Sequence, residues 1–418
     1  MLPLILNYCH HGPDELVDGY AVRTGLVLES QRRLGFLPRV TRPPAPGAPL
    51  AGEDPYLPRC RTPAWHRWAT AACHLTRSFA LILRVDLGML AQYLAGVVAR
   101  QHPRLLLATT PWPLGRTAAG VARRFSLPFV YEVRSLPEES MVAEHRLTPG
   151  DDYYHYARTR EIAAMQAADR VVTLSEAMKD DFVSRGVPAG RIKVVPNGMV
   201  PTPLPDPGAR RAFRARWQLG EGPVAGYISS AFRSLEGVET LIRAWPAVEA
   251  ALPRARLVLA GKETPEQRAL AEQLGIASGI VFTGTIPHDR IGEAYDALDL
   301  FVIPRTHDRI CRLVTPLKPV EAMSHGLPLV ASRLPALAEL GEEGRTGWLV
   351  PPEDPPALAA ALLSALSDPD RLRAMGRAAR AWVMAHRDWE KLSAAYGEIF
   401  SELLAIYAPS ERVPPPRR

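Results

Sequence analysis

One segment of the chain gathers cations immediately before a single carboxylate. In PRTHDRICRLVTPLKPVEAM, residues 304–323, Glu321 lies near the start of a predicted helix and follows four basic residues, Arg305, Arg309, Arg312 and Lys318. Cations beside a helix N-terminus attract phosphate groups. A carboxylate in that position can accept hydrogen bonds from two adjacent ribose hydroxyls, as in dinucleotide sites. The segment predicts a site for a diphosphate and a ribose; the alternatives are a solvated basic surface and an ordinary helix start.

A second segment has the residues of a phosphate-binding turn. SSAFRSLEGVETLIRAW, residues 229–245, runs from small residues into a predicted helix, where backbone N–H groups are free to bind an anion. Ser230 and Arg233 are the candidate side chains in this turn. Because the segment lacks the G-x-G-x-x-G pattern, a plain tight turn is the alternative interpretation.

Other kinds of catalytic site are not indicated. The histidines do not form an H-x-x-x-H pattern with a further ligand, no D-x-D pair stands at a strand end, and no G-x-S-x-G nucleophile motif is present. We therefore expect no metal cofactor and no hydrolase chemistry.

Length and composition describe a globular protein of more than one domain. The chain has 418 residues, of which 47% are hydrophobic and 22% charged. Its net charge of +6 is spread along the chain and permits an anionic ligand, but no nucleic-acid motif accompanies the charge. The four cysteines form no C-x-x-C pair, which is typical of free thiols in a reducing compartment.

The most apolar stretch of the chain, residues 79–98, does not predict a membrane span because Arg84 and Asp86 interrupt it. The N-terminal residues lack the basic region of a signal peptide, so we expect a cytoplasmic protein. Residues 59–84 interleave arginines with Trp65, Trp68 and other apolar residues, and peripheral contact with the inner membrane face stays open beside a helix packed on the sheet.

The elements that must position these residues alternate between short apolar runs and helical patterns, which is typical of an α/β fold with parallel sheets. The predicted strands are 2–7, 36–41, 104–110, 128–133, 170–175, 192–197, 224–230, 255–261, 280–284, 300–304, 327–332 and 347–351. We expect two Rossmann-like, doubly wound domains that face an interdomain cleft. The expected divisions are residues 1–200, a linker at 201–222, a second domain at 223–385, and a C-terminal helix and tail at 386–418 that returns to the first domain.

Taken together, the motifs resemble those of the retaining glycosyltransferases of family 4, which have the GT-B fold. In the second half the similarity is carried by VVPNGM, GVETLIRAW, LVLAG, IVFTGTIP, YDALDLFVIP and PLKPVEAMSHGLPLVAS. DGYAVRTGLVLESQRRLG and FVYEVRSLPEES in the first half resemble a subgroup associated with exopolysaccharide assembly and exosortase systems. The resemblance implies that the first domain binds an acceptor and that the second binds a nucleotide-sugar donor.

The resemblance also implies roles for individual residues in the second domain. Glu321 matches the second glutamate of the family's Glu-x7-Glu motif and would hold the donor ribose, whereas the first glutamate falls on Leu313. In the subgroup a Thr-Pro-Leu-Lys-Pro run occupies this region, so that its donor-facing residues would be Thr315, Leu317 and Lys318. The usual diphosphate-binding arginine and lysine are replaced by Ala231 and Glu236, and our candidates to take over their function are Arg233, Arg312 and Lys318.

In the first domain, the histidine that often contacts the sugar is replaced by Arg134, which stands beside Glu132. Glu132, Arg134 and Lys318 are therefore the candidate catalytic residues. Glu132 would act as an acid/base or orient the acceptor, and an ion pair with Arg134 is the alternative. The glycine loop after the first strand is reduced to Gly19, and with it Tyr20 and Arg23 are candidates to contact the acceptor or a phosphate.

These residues predict transfer of a sugar, with retention, from a nucleoside diphosphate to the hydroxyl of a lipid-linked saccharide or a small soluble metabolite. The leaving diphosphate would be stabilised by cations and would itself take the acceptor proton. The missing family residues support an alternative, a catalytically silent nucleotide-binding protein that partners an active transferase. A sugar-nucleotide epimerase is a third option.

Overall fold

The structure is a computed structural model that describes residues 2–9, 19–43, 79–202 and 205–407, apart from the side chains of 79–86. Among these residues the first domain has six parallel strands in the spatial order β2-β1-β3-β4-β5-β6. These strands are β1 Leu4–Tyr8, β2 Leu37–Thr41, β3 Leu105–Thr109, β4 Phe129–Val133, β5 Arg170–Thr173 and β6 Ile192–Val194. Every residue of β3 and β4 is buried, because helices cover both faces of the sheet.

The helices of the first domain follow the strands in the alternating order that the sequence predicts. They are α1 Gly19–Arg33, α2 Phe79–Gln101, α3 Trp112–Phe125, α4 Pro137–Ala143, α5 Asp152–Gln166 and α6 Glu176–Ser184. In the described part of the chain, no helix combines the length and the apolar character that crossing a membrane requires. Residues 59–78 of the segment considered for membrane contact lie outside the described residues.

The proline-rich segment 201–222, expected to be a linker, contains a helix. Residues Pro207–Arg216 form helix α7. Arg210 and Arg214 of this helix bind the two carboxylate oxygens of Asp299 at 2.6 and 2.7 Å, which fixes the helix to the second domain. Part of the expected linker therefore belongs to the packed structure of that domain.

The second domain repeats the plan of the first with six parallel strands in the order β12-β11-β10-β7-β8-β9. The strands are β7 Val224–Ala231, β8 Arg256–Lys262, β9 Ile280–Gly284, β10 Leu300–Ile303, β11 Leu329–Ser332 and β12 Gly347–Val350. Its helices are α8 Val238–Ala251, α9 Pro265–Gln273, α10 Ile291–Ala297, α11 Arg309–Leu313, α12 Lys318–Ser324, α13 Pro335–Ala338, α14 Pro355–Leu366 and α15 Pro369–His386. The predicted two-domain, doubly wound α/β architecture is confirmed.

The final helix, α16 Trp389–Ile406, returns to the first domain. Trp389 donates its indole N–H to the Leu26 carbonyl and the Ser30 hydroxyl of α1, at 3.0 and 2.8 Å. Tyr396 and Phe400 are buried in the same apolar cluster as residues of β1, β3 and β4. The end of the described chain therefore holds the first domain to the second.

The strand order identifies where a ligand site can form in the second domain. The order reverses between β7 and β10, which pair through Leu300 and Ala225. The loops at the carboxyl ends of two such strands lead to helices on opposite faces, and the crevice between them is the usual ligand site of a doubly wound sheet. Residues 232–237 follow β7 and residues 304–308 follow β10, so both cation-rich segments meet at this crevice.

Candidate functional site between the two domains

Direct hydrogen bonds close one side of the interdomain cleft. The Ser175 hydroxyl caps α6 and donates to the Leu313 carbonyl of the other domain at 2.5 Å. The side-chain amide of Asn197 donates to the Thr315 carbonyl at 2.8 Å, and the Thr315 hydroxyl donates to Leu174 at 3.4 Å. Thr315, predicted to face the donor, is 2% exposed and its hydroxyl is occupied in joining the domains.

Charged contacts extend the same interface. Arg309 pairs with Glu139 at 3.0 Å and also binds Asp181, both in the first domain. Glu339 of the second domain accepts hydrogen bonds from the backbone N–H groups of Glu176 and Ala177, at 3.2 and 3.1 Å, at the start of α6. Ion pairs and hydrogen bonds to backbone N–H groups thus connect the two domains directly across the cleft.

Gly19 and Leu317, two predicted site residues, meet across the cleft. Gly19 is the first residue of α1, and a Cβ atom there would lie 3.2 Å from Leu317 Cδ1. A glycine at this point allows the start of α1 to approach the loop before α12. The Leu317 side chain therefore contacts the backbone of the first domain at the mouth of the crevice.

The centre of the crevice is a buried carboxylate surrounded by cations. Glu236 is fully buried at the end of the short helical turn Ser234–Glu236 that follows β7. Three cations lie around its carboxylate: Arg233 at 3.4 Å, Lys318 at 3.5 Å and Arg305 at 3.9 Å. Arg233 also reaches Glu144 of the first domain at 3.5 Å. The cluster carries more positive than negative charge and lies between the two domains.

Lys318 adds an ammonium group to the two guanidinium groups of this cluster. Its side chain is 25% exposed, and Nζ lies 5.7 Å from the centre of the Tyr227 ring. Desolvation lowers the pKa of Lys318, with Arg305 and Arg233 acting in the same direction while Glu236 opposes them. An anion placed against Lys318 would relieve this repulsion.

Glu321 lies on α12 and is oriented by a tyrosine. The Tyr295 hydroxyl donates to Glu321 Oε2 at 2.8 Å, and none of the described groups donates to Oε1. The Tyr295 ring stacks on His325 at 5.2 Å between centroids, and His325 Nδ1 contacts Asp296 at 2.6 Å. Burial and the neighbouring Glu321 raise the pKa of Tyr295, so that its phenol stays protonated as a donor. One oxygen of Glu321 remains open to a hydroxyl ligand.

The structure corrects the role expected for Glu132. Its carboxylate is fully buried and accepts hydrogen bonds from Arg23 at 2.6 Å, from Arg134 at 2.8 Å and from Tyr396 of α16 at 2.8 Å. Although burial opposes ionisation, Arg134 and Arg23 lower the pKa of Glu132 to about 2. A buried carboxylate held by three donors matches the alternative expected from the sequence, an ion pair with Arg134.

The other first-domain candidates belong to the same network. Arg23 is 2% exposed and also donates to the carbonyls of Val195 and Pro196. Arg134 is 5% exposed, binds the Thr24 hydroxyl at 2.6 Å and lies over the Tyr20 ring at 4.7 Å. These contacts place Arg23 inside the first domain and not at a phosphate loop, which corrects that expectation. The Tyr20 hydroxyl likewise bonds to Thr109 and Thr110.

The remaining predicted residues divide. Lys318 and Arg233 lie in the cation cluster. Ser230 is exposed near the end of β7, the strand that precedes the cluster's first loop. Arg312 is exposed on α11, and no contact in the described chain links its side chain to the cluster. The four cations of residues 304–323 therefore separate: Arg305 and Lys318 face Glu236, while Arg309 binds the first domain.

Sequence reasoning missed two components of this site. Glu236 was counted only as the loss of a lysine, although a carboxylate near several cations in one crevice is itself a signal. Tyr295 lies within YDALDLFVIP, and nothing in this local sequence indicates that it reaches Glu321. Among the described residues, no three His, Cys, Asp or Glu side chains lie close enough together to hold a metal ion.

Family models match both domains. Residues 222–368 match the model of glycosyl transferases group 1, and residues 18–198 match that of the glycosyl transferase 4-like domain. The two matches fall on the second and the first sheet respectively. With the two-domain fold, they assign the chain to a class. That class is the glycosyltransferases, and the two matches support a member of family 4.

The curated relatives agree with this class. A GDP-mannose-dependent α-(1-6)-phosphatidylinositol monomannoside mannosyltransferase of Mycolicibacterium smegmatis is 32% identical over 241 residues, which are 56% of this chain and 62% of that protein. D-inositol 3-phosphate glycosyltransferase 2 of Catenulispora acidiphila is 29% identical over 334 residues, 75% of each chain. The chain thus spans less than two thirds of the first of these relatives.

Solved structures share the fold over nearly the whole chain. Sucrose-phosphate synthase of Thermosynechococcus elongatus matches with a TM-score of 0.73 and 21% identity, covering 97% of this chain and 100% of that chain. Anabaena HepE in complex with UDP-glucose matches with a TM-score of 0.68 and 20% identity, covering 96% and 100%. The fold is accordingly the GT-B fold.

Proposed function

We propose that this protein transfers a hexosyl residue from a nucleoside diphosphate donor to a hydroxyl group of an acceptor, with retention of the anomeric configuration. The observation that carries the proposal is the cation cluster at the switch point of the second sheet, next to a carboxylate with one open oxygen. The cations suit a diphosphate and the carboxylate suits a ribose. The matches to the two family models and the relatives support the same chemistry.

The reaction follows from where charge develops. The bond between the anomeric carbon and the diphosphate oxygen breaks, and a bond to the acceptor oxygen forms on the same face of the sugar. The leaving diphosphate gains negative charge, which the positive cluster around Lys318 and Arg233 stabilises. Since Glu132 is buried and ionised, the acceptor proton goes to an oxygen of the leaving phosphate. The contact between the domains reduces the access of water, which would hydrolyse the donor.

The relatives suggest which donors and acceptors to try. The names of the mycobacterial relatives specify GDP-mannose and a phosphatidylinositol monomannoside, another name specifies inositol 3-phosphate, and the HepE structure holds UDP-glucose. We propose a nucleotide-sugar donor and a saccharide acceptor that is either lipid-linked or small and soluble. We also propose that catalysis needs no metal cofactor and that the protein works in the cytoplasm, with peripheral membrane contact if the acceptor is a lipid.

The first test is binding of UDP, GDP, ADP and dTDP, measured by thermal shift and calorimetry on the full chain. We expect one of them to stabilise the protein and to lose about 10-fold or more in affinity in Glu321→Ala, because hydrogen bonding of the ribose to a charged group is removed. Glu293→Ala is the control, since Glu293 is a partly exposed carboxylate of α10 that pairs with Arg290 on the surface.

The outcomes separate the proposal from its alternative. Stabilisation by one nucleotide that depends on Glu321, followed by sugar transfer from the matching donor, supports the transferase. Stabilisation by none of the four contradicts it. Tight binding without turnover on any acceptor would favour a silent nucleotide-binding partner, which none of the comparisons favours.

A further inference from the structure

Glu236 has an unusual position for a carboxylate in a site that must attract phosphate. It is fully buried, whereas the cations around it differ in exposure: the Arg305 side chain is 8% exposed, Lys318 25% and Arg233 51%. A carboxylate at the centre of a diphosphate site repels the phosphate groups, so its presence needs another explanation, such as an effect on the position of the cations. The distances from Glu236 to the three cations indicate such an effect.

The contacts to Glu236 are long for ion pairs of this kind. They measure 3.4 to 3.9 Å, against about 2.7–2.9 Å for charge-assisted hydrogen bonds. Glu236 Oε2 and Arg305 Nε, both buried, have no hydrogen-bond partner in the described structure. Glu236 therefore attracts these cations without using all of their N–H donors; one Arg305 donor bonds to the Val314 carbonyl at 3.4 Å, and the other donors of Arg305 and those of Lys318 remain for another anion.

The backbone fixes the position of this carboxylate. Gly237, the next residue, has a φ of 66°, and a Cβ atom there would lie 1.8 Å from the Pro304 carbonyl oxygen. This close approach sets Glu236 against Arg305, the residue after Pro304. The backbone N–H of Thr306 also donates to the Leu235 carbonyl at 3.3 Å. The loops after β7 and β10 thus pack directly against each other beside the carboxylate.

We infer that Glu236 is a positioning residue that holds Lys318 and Arg305 where they bind the diphosphate of the donor, and that Glu236 and Lys318 act as one charge pair. The inference rests on the proposed function and extends it to the organisation of the phosphate site. Glu236 stays behind the cations and does not touch the ligand. Lys318 and Arg305 direct their free donors to the phosphate oxygens, so the site depends on the relative placement of the charges and not on their sum.

A charge-exchange cycle tests this inference. Affinity for the nucleoside diphosphate that binds the wild type is measured by calorimetry for Glu236→Lys, Lys318→Glu and the double variant. Glu236→Lys adds positive charge, so simple attraction of the phosphate predicts tighter binding. Positioning predicts the opposite, a loss of about 10-fold, because the buried lysine repels Lys318 and Arg305. The affinity of the double variant should be at least about 10-fold higher than the affinity expected if the losses of the two single variants multiplied.

Two further sets of variants keep the test decisive. The exchange Arg290→Glu with Glu293→Arg makes the same charge changes at a more exposed pair of the same domain and should leave affinity unchanged. If a lysine at position 236 prevents folding, which thermal unfolding reveals, Glu236→Gln, Lys318→Gln and their combination replace the cycle. In that set the double variant should bind no worse than the weaker single variant.

Failure of this inference differs from failure of the proposed function. Tighter or unchanged binding by Glu236→Lys, or strictly multiplicative losses in the double variant, overturns the positioning role while the wild type still binds a nucleotide through Glu321. Absence of nucleotide binding by the wild type contradicts the proposed function itself. A structural role alone would lower thermal stability in both single variants without recovery of affinity in the exchange.

Discussion

The hydroxyl of Tyr295 donates to Oε2 of Glu321 across 2.8 Å, which fixes the carboxylate proposed to hold the ribose. Tyr295 is 1% exposed and its ring contacts those of Phe301 and His325. The orientation of Glu321 therefore comes from the apolar packing of α10 against β10. This relationship connects the core of the second domain to its candidate ligand site.

Replacing Tyr295 by Phe should weaken nucleotide binding without removing the site. The variant keeps the packed ring and loses one hydrogen bond to a charged group, an interaction that contributes about 1.5–3 kcal/mol. Because this bond orients Glu321 and does not touch the ligand, only part of that free energy is lost in binding, and we expect a loss of about 3- to 30-fold in affinity by calorimetry. In a Glu321→Ala background the same change should have no further effect on affinity, and an equal loss in both backgrounds would show that Tyr295 acts elsewhere.

The sequence predicted the framework of the protein well and the use of its charges less well. All twelve predicted strands match strands of the structure, because buried parallel strands are continuous apolar runs with clear boundaries. The charges are harder because their partners are distant in the chain: Glu132 meets Arg23, and Glu236 meets Lys318. Neither spacing nor periodicity encodes these pairs, which depend on the strand order and on how the domains meet.

Replacing Glu132 by Gln should destabilise the first domain. The change leaves Arg23 and Arg134 buried without their counter-charge, and breaking a buried ion pair in this way costs about 3–5 kcal/mol. Urea unfolding measures the loss. A variant of wild-type stability that has lost sugar transfer would return Glu132 to the catalytic candidates.

The same residue predicts the acid dependence of stability. The pKa of Glu132 is lowered from 4.5 to about 2 in the folded chain, so the unfolded chain binds the proton more readily. The stability from this ion pair is present above about pH 4.5 and is lost as the pH falls toward 2. The difference in unfolding free energy between the wild type and Glu132→Gln should therefore shrink across that interval, and a constant difference would contradict the assignment.

Glu161 predicts the opposite dependence on pH. It is fully buried, accepts a hydrogen bond from Tyr131 at 2.6 Å, and burial raises its pKa from 4.5 to about 8. The folded chain then holds a proton that the unfolded chain releases, so stability falls as the pH rises from about 4.5 to 8. Glu161→Gln keeps the acceptor oxygen and removes the titration. We expect the variant to gain stability over the wild type by a few kcal/mol between pH 5 and 8.5; an unchanged difference in urea unfolding would show that Glu161 is ionised in the fold.

Gly237 and Gly275 provide a matched pair for testing the loop that carries Glu236. Both have positive φ, 66° and 71°, so that alanine pays a similar backbone penalty of about 1 kcal/mol at each. Only at Gly237 would the new Cβ meet a backbone atom, the Pro304 carbonyl oxygen at 1.8 Å, whereas nothing lies within 4 Å at Gly275. Gly237→Ala must therefore push the loops after β7 and β10 apart and move Glu236 away from Arg305. We expect a clearly larger loss of thermal stability than in Gly275→Ala, and a loss of nucleotide affinity that Gly275→Ala does not show. Equal behaviour of the two variants would mean that the close contact of these loops does not organise the phosphate site.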